Sequence, residues 1–182
     1  MYDTNLNFSK NKDNLKGSEI MKKFFSLLLI AAILVSMTSC MTATPKDFTY
    51  QGMTVTLTNR FKEMQYEGYN VCYGSPDVMV IVLKESFSLQ AGLDQMTLDE
   101  YAKLVHQANA SKSPSEITKH EGFQSMEYDF LNEKENKTYS YFSTMFKGTD
   151  AFWLIQFACL EKDYEANKDT FLTYANSIKF SN

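Results

Sequence analysis

The side chains that most often catalyse reactions or bind metals are scarce in this sequence. Its two histidines, His106 and His120, have no partner at the spacing of an H-x-x-x-H or C-x-x-C motif, which metal sites commonly use. None of the seven glycines belongs to a phosphate-binding loop. Glu127 and Asp129 share one face of a predicted strand and resemble a carboxylate pair, but alternation places them on its solvated face. We therefore predict no catalytic residue, no metal site and no cofactor, and expect that the protein is not an enzyme.

Cys40 stands apart from the other cysteines, because it ends an apolar segment near the start of the chain. In Met21–Cys40, MKKFFSLLLIAAILVSMTSC, Lys22 and Lys23 precede a nearly unbroken apolar run over residues 24–35. This run has the length and the positive flank of a secretory signal, and it is too short to span a bilayer comfortably. The segment predicts that the chain after it is exported.

Small residues precede Cys40, and together with it they resemble the lipobox of bacterial lipoproteins. In that family the cysteine receives a diacylglyceryl group and becomes the N-terminus after a dedicated peptidase cuts in front of it. Met37 occupies the position where lipoboxes usually carry leucine. The resemblance implies a lipidated Cys40, held at the cell membrane and facing outside the cytoplasm, with two acyl chains for stable anchoring. The alternative is an ordinary signal peptide with Cys40 as a bystander.

The sequence divides into four parts. Residues 1–20 are polar and fit no signal peptide, so we predict a non-native N-terminal extension or a disordered segment, with translation starting at Met21. Residues 21–39 form the signal peptide, and residues 40–47 are the lipidated cysteine and a short tether. Residues 48–182 are long enough for a single domain with a genuine core.

The exported part is acidic. Five of the 18 Lys and Arg residues and three of the 22 Asp and Glu residues precede Cys40. The remaining 13 basic and 19 acidic residues give the exported part a net charge of −6. A basic patch therefore does not hold this domain on an anionic membrane, and the lipid at Cys40 has to do so. The same charge argues against nucleic acid as a partner.

Alternation of polar and apolar residues predicts strands through most of the domain. In Met53–Thr58 the apolar side chains face one way and the threonines face the other, as in a half-buried antiparallel strand. Val78–Leu83 has no polar residue, so we expect both its faces to be covered and predict that it is the central strand. Two alternating strands and the apolar run Ala151–Cys159 form a meander in the second half.

Two helices complete the prediction. Thr97-Leu-Asp-Glu100 matches the T-x-x-E capping box, and apolar residues recur at helical spacing after it. A second amphipathic helix is predicted from about Asp163 to Ser177. The fold class is α+β, with a largely antiparallel sheet of about five to seven strands flanked by two main helices.

This order of elements resembles the PsbP/DcrB-like domains. The resemblance covers Phe48 to Phe180 and rests on the sequence of hairpin, apolar central strand, helix, three-stranded meander and closing helix, with an ending like FWLIQFA…FLTYANSIKF. These domains are α/β/α sandwiches of photosystem accessory proteins and bacterial envelope lipoproteins. The resemblance implies that fold and a docking or accessory role, and no catalytic residue set carries over.

Cys72 and Cys159 each lie in a strand-like segment. Outside the cytoplasm two such thiols could pair in a disulfide, but free cysteines also behave as small buried hydrophobic residues. Cysteines on strands far apart in a sheet cannot be bridged. The sequence leaves both alternatives open.

Aromatic residues near predicted turns are the one feature that suggests a binding surface. Tyr66, Tyr69, Tyr73 and Phe87 could form an exposed platform for a ligand or a partner. Aromatic residues of a strand-rich domain more often belong to the core and to cross-strand pairs, which is the competing interpretation.

Two classes of function follow. We expect a membrane-anchored, extracytoplasmic lipoprotein that acts as a non-enzymatic binding or accessory module, with the membrane as partner through Cys40 and an envelope protein as a further partner. The alternative is an envelope enzyme with an unrecognised active site.

Overall fold

Ten β-strands and two α-helices make up the described part of this computed structural model, which covers residues 43–89 and 91–181. The predictions for residues 1–20, for the signal peptide and for Cys40 lie outside the described residues. The elements are β1 (Pro45–Tyr50), β2 (Met53–Thr58), β3 (Lys62–Met64), β4 (Val71–Gly74), β5 (Val78–Ser86), α1 (Leu98–Ala108), β6 (Thr118–Lys119), β7 (Gln124–Asn132), β8 (Lys137–Lys147), β9 (Ala151–Leu160), α2 (Tyr164–Asn176) and β10 (Lys179–Phe180).

Seven strands form an antiparallel sheet in the order β3-β4-β5-β9-β8-β7-β6. The middle position belongs to β9, which pairs with β5 on one side and with β8 on the other. Strand β5, predicted to be central, is an internal strand one place away from the middle. Both strands are paired along their length, and the main core covers one face of each. The expectation that both faces of Val78–Leu83 are covered is wrong for the second face, because the helix on that side reaches only one end of β9.

A smaller antiparallel sheet has the order β1-β2-β10. Strands β1 and β2 form a hairpin in which Phe48 pairs with Val55, and its turn uses positive φ angles at Gln51 (44°) and Gly52 (90°). Positive φ at both central residues is typical of the two-residue turns that match the twist of a hairpin. The sequence predicted the half-buried strand Met53–Thr58, but it did not predict the second sheet, because β10 is only two residues long.

The main core lies between the large sheet, the small sheet and α2. Phe157 on β9 and Phe171 on α2 are fully buried and stack with ring centroids 5.8 Å apart. Trp153 projects from the same face of β9 as Phe157, since the two positions differ by an even number of residues. We call this the α2 face of the large sheet.

Helix α1 packs on the opposite face, the α1 face. Its start has the predicted capping box: the Glu100 backbone N donates to Thr97 Oγ1 (3.2 Å) and the Thr97 backbone N donates to Glu100 Oε2 (2.8 Å). The Tyr101 ring stacks on Phe152 of β9 at 4.2 Å. Helices on both faces of a largely antiparallel sheet confirm the α+β fold class predicted from the sequence.

The two cysteines of the domain remain free, so the disulfide that the sequence left open does not form. Cys72 is on β4 and Cys159 is on β9, with β5 between them. Cys72 pairs with Ile81, which in turn pairs with Gln156, so Cys72 faces the α1 side; Cys159 belongs to the core on the α2 side. Thiols on opposite faces of a sheet cannot reach each other. Both are buried and behave as small hydrophobic residues.

None of the helices within residues 43–89 and 91–181 is long and apolar enough to cross a membrane.

Candidate functional site

Helix α1 covers the α1 face only beside β7, β8 and one end of β9, and the rest of that face forms an open cavity of about 530 Å³. This cavity extends over β4, β5 and the second half of β9. Tyrosine side chains dominate its walls, and we call it the tyrosine groove. It is defined by Tyr66, Tyr69, Ile81, Phe130, Tyr139 and Tyr141.

The floor of the groove is apolar and close-packed. Ile81 lies at its centre, paired with Cys72 on one side, and Met79 pairs with Gly74. A Cβ atom at Gly74 would overlap the sulfur of Met64, so glycine at this position lets the Met64 side chain lie on the sheet. The register therefore gives the groove a carbon and sulfur surface without a charged group at its centre.

One wall is the connection between β3 and β4. The Tyr69 backbone N donates to the Tyr66 carbonyl (3.3 Å), which closes a turn that carries both tyrosines. Asn70 fixes this turn to β5, because its backbone N donates to the Val82 carbonyl (3.0 Å) and its Oδ1 accepts from the Lys84 backbone N (2.6 Å). These two bonds hold the end of the turn against β5.

The other wall is the β7–β8 hairpin. Tyr139 donates its hydroxyl to Glu135 Oε2 (2.9 Å), and Phe130 lies directly opposite Tyr139 on β7. Phe130, Tyr66 and Tyr69 are 43%, 47% and 46% exposed, so each presents nearly half of its surface to solvent. The two walls set aromatic side chains on either side of an apolar floor.

A buried polar network supports the inner end of the groove. The Tyr141 ring stacks on Tyr128 at 5.0 Å, and Gln156 Nε2 donates to Tyr128 Oη (2.7 Å) and to Ser143 Oγ (2.9 Å). Burial raises the pKa of Tyr141 to about 12, so its phenol is protonated at neutral pH. Because Gln156 is buried, these bonds fix the position of Tyr128 and of the ring stacked on it.

The rim of the groove carries more negative than positive charge. Its ionisable side chains are Asp77, Glu135, Asp163 and Lys137. Arg60 pairs with Asp77 (3.3 Å) and Lys137 pairs with Glu135 (3.5 Å), while Asp163 has no ion pair among the described residues. Burial raises the pKa of the Cys159 thiol to about 11, and the neighbouring Asp163 carboxylate adds to the rise.

The described chain begins beside this rim. The Asn59 backbone N donates to the Thr44 carbonyl (2.8 Å), and Asn59 Oδ1 accepts from the Thr44 backbone N (3.2 Å). The next residue, Arg60, bonds to Asp77 on the rim. The start of β1 and the groove are therefore at the same end of the large sheet.

The structure brings two of the four predicted surface aromatics to the groove. Tyr66 and Tyr69 line it, whereas Tyr73 is 1% exposed and packs against Phe48 on the α2 face, 4.9 Å between ring centroids. The prediction of an exposed Tyr73 is wrong, because β4 turns that residue toward the main core. Phe87 is partly buried against Phe152, 5.3 Å away, and is no part of the groove.

The aromatic residues that the second half of the chain contributes to the groove were not predicted from the sequence. Tyr139 and Tyr141 are two residues apart on β8 and therefore both point to the α1 face. Phe130, which pairs with Tyr139 on β7, points to the same face. Their spacing by two residues was the available signal, but it did not reveal that α1 would leave this part of the face open.

The histidines and the carboxylate pair have structural partners. His106 Nε2 lies 3.1 Å from the Ser115 carbonyl, and His120 Nε2 lies 2.8 Å from Ser125 Oγ. Glu127 forms an ion pair with Lys168 (2.9 Å). Asp129 accepts from Ser140 Oγ (2.6 Å). In the part of the chain that the structure describes, no three His, Cys, Asp or Glu side chains cluster as metal ligands.

Comparison with known proteins supports the fold. No protein-family model matches the chain, and no curated protein matches it. Cyanobacterial PsbP (CyanoP) from Synechocystis sp. PCC 6803 has a similar solution structure, with a TM-score of 0.52 and 12% identity over 76% of this chain and 94% of that one. The chain therefore has a PsbP-like fold.

Two further solved structures show a weaker likeness. A protein from Bacteroides thetaiotaomicron VPI-5482 matches with a TM-score of 0.49 and 12% identity, over 75% of this chain and 48% of that one. The Ran-binding protein Mog1p of Saccharomyces cerevisiae matches with a TM-score of 0.48 and 8% identity, over 76% and 96% of the two chains.

Proposed function

We propose that this chain is a lipid-anchored, non-enzymatic binding or accessory module of the cell envelope and that the tyrosine groove is its binding surface. The observation that carries the proposal is the groove itself, a concave apolar floor between two walls of half-exposed aromatic side chains. Tyrosine is well suited to such a surface, because it offers a large apolar ring together with a hydroxyl group that can bond to a ligand or to water.

The distribution of exposed apolar side chains supports this assignment. Seven large hydrophobic side chains of the described residues are exposed, and four of them line the groove: Met64, Tyr66, Tyr69 and Phe130. Such a concentration on one surface marks binding sites more often than scattered single residues do. The volume of about 530 Å³ is that of an ordinary small-molecule site.

The groups inside the groove suit binding better than proton transfer. Burial raises the pKa of Tyr141 to about 12 and also raises the pKa of the Cys72 thiol above its usual value. Both therefore stay protonated at neutral pH, whereas an acid–base catalyst works best with a pKa near the working pH and a nucleophilic cysteine works as the thiolate.

The place of the groove agrees with an anchor at Cys40. Three residues lie between Cys40 and Thr44, so the four Cα-to-Cα steps span at most about 14 Å when extended. Thr44 is hydrogen-bonded to Asn59, and the next residue, Arg60, is bonded to Asp77 on the rim. A diacylated Cys40 would hold the groove close to the membrane surface, where it would meet ligands or proteins of that surface.

The anchor is tested by replacing Cys40 with serine in the native host. Since the lipid would be attached to the Cys40 sulfur, we expect C40S to move from the membrane fraction to the soluble extracytoplasmic fraction, with an unchanged circular dichroism spectrum. The matched control is Met41→Ser, which should stay with the membranes. A C40S protein that has lost its signal peptide, as intact mass would show, and still sediments with the membranes would refute the anchor.

The groove is tested with the double variant Tyr66→Ala/Tyr69→Ala. We expect the wild-type protein, extracted from its native host and examined by native mass spectrometry, to carry a bound mass that the double variant loses. Leu104→Ala is the control, because Leu104 is equally exposed but lies on α1, outside the groove. Equal bound mass on wild type and double variant, or none on either, would count against the groove as the binding surface.

A further inference from the structure

We infer that the ligand of the tyrosine groove is an organic cation, an ammonium group attached to a small apolar body. The inference rests on the proposed function of the groove and specifies the chemistry of its occupant. Three features lead to it: the charge of the rim, the aromatic walls and the apolar floor.

The rim selects for positive charge. Arg60 and Lys137 neutralise Asp77 and Glu135, so that Asp163 is the rim carboxylate without an ion pair among the described residues. Asp163 is half-buried, next to the apolar Leu160 at the edge of the floor. A partly desolvated carboxylate attracts a cation more strongly than a fully hydrated one, because the local dielectric constant is lower.

The aromatic walls favour the same charge. The faces of aromatic rings are electron-rich, and tyrosine rings bind ammonium groups, including the quaternary ones that aromatic cages recognise. The chain already uses this interaction beside the groove: Lys112 Nζ lies 4.7 Å from the centre of the Tyr128 ring and 5.7 Å from that of Phe130. Phe130 is also part of the groove wall, and Tyr128 stacks on Tyr141 of the groove.

The floor sets the remaining requirement. The floor exposes carbon and sulfur atoms of Met79, Ile81, Ala158 and Leu160. Covering these atoms with the carbon atoms of a ligand stabilises the complex, whereas a hydrated metal ion would leave them in contact with water. Alkylated ammonium groups are weakly hydrated and bring carbon with them. An organic ammonium therefore satisfies the floor, the walls and Asp163 together, whereas an anion would meet the Asp163 carboxylate, which has no ion pair among the described residues.

Choline and its uncharged isostere 3,3-dimethyl-1-butanol separate the effect of charge from that of shape. Both would be titrated into the exported chain from Cys40 onward, carrying C40S, with the ring resonances of Tyr66 and Tyr69 followed by NMR. We expect the resonances of both tyrosines to shift and choline to bind roughly tenfold more tightly than the isostere. This is the difference expected for cation–π contacts at a half-exposed site, which are stronger than at an exposed site and weaker than at a desolvated one.

Variants identify the groups responsible. Asp163→Asn should weaken choline binding roughly threefold and leave the isostere unaffected, because one partly screened charge is removed at constant shape. Glu165→Gln is the matched control: it removes a carboxylate from α2 that does not line the groove, and choline binding should not change. Tyr66→Ala/Tyr69→Ala should abolish binding of both probes.

The outcomes distinguish this inference from the proposed function. Equal affinity for choline and the isostere would overturn the cation inference, while the groove would remain a binding site. Absence of binding by both probes, with a bound mass from the host that the tyrosine double variant loses, would likewise overturn the cation inference alone. Absence of both probe binding and bound mass would overturn the two proposals together.

Discussion

Replacing Phe157 by alanine should lower the free energy of unfolding by about 3–5 kcal/mol, the usual cost of truncating a fully buried phenylalanine. Phe157 is inaccessible to solvent on β9, in the middle of the large sheet. Its ring contacts Phe171 (5.8 Å) and Tyr174 (6.1 Å) of α2, and Phe142 (6.3 Å) on the neighbouring strand. Alanine would remove the contact between sheet and helix and leave a cavity that β9, paired on both sides, cannot collapse to fill.

Chemical denaturation of wild type, Phe157→Ala and Leu104→Ala would measure this effect. Leu104 is half-exposed on α1, and its truncation should change the free energy of unfolding by less than about 0.5 kcal/mol, as is usual for surface positions. A cost below about 1 kcal/mol at Phe157 would contradict the packing of α2 on β9, because truncating a fully buried phenylalanine typically costs about 3–5 kcal/mol.

Gln156→Leu should lower the free energy of unfolding by about 2–4 kcal/mol, because it leaves two buried hydroxyl groups without their partner. Gln156 donates both to Tyr128 Oη and to Ser143 Oγ, and all three side chains are buried. Leucine has nearly the same size but no donor. The large cost thus comes from the oxygens that remain, rather than from the loss of glutamine itself.

The triple variant Gln156→Leu/Ser143→Ala/Tyr128→Phe tests this explanation. It removes the two orphaned hydroxyl groups as well, so we expect it to be more stable than Gln156→Leu alone, although it carries two further substitutions. Thermal and urea unfolding of the two variants would give the comparison. If the triple variant is less stable than Gln156→Leu, the cost of Gln156→Leu does not come from hydroxyl groups left without a hydrogen-bond donor.

The sequence predicted most of the strands and helices because their signals are local. The Thr97–Glu100 capping box and the helical spacing after it define α1, and the apolar runs at β5 and β9 identify internal strands. Strand order is different, because pairing between β5 and β9 joins segments about seventy residues apart and no local pattern encodes it. For the same reason the sequence placed β5, rather than β9, at the centre.

The candidate site was predictable only in part, and β4 explains why. Val71, Cys72 and Tyr73 are three consecutive buried residues, so the strand has no polar position that would tell its two faces apart. Tyr73 could therefore be assigned to neither face from the sequence. Phe87 is in a segment richer in apolar residues than a loop requires, and its packing against Phe152 accounts for that excess.

The pairing of β10 with β2 determines when this domain can finish folding. Thr54 pairs with Lys179, 125 residues further along the chain, and Ser177 Oγ accepts from the Thr56 backbone N (3.0 Å). During synthesis the first hairpin emerges from the ribosome long before these partners exist, and it has nothing on which to complete its sheet. The domain must reach its native state after translation has passed Phe180, which suits a chain proposed to cross a membrane before it folds.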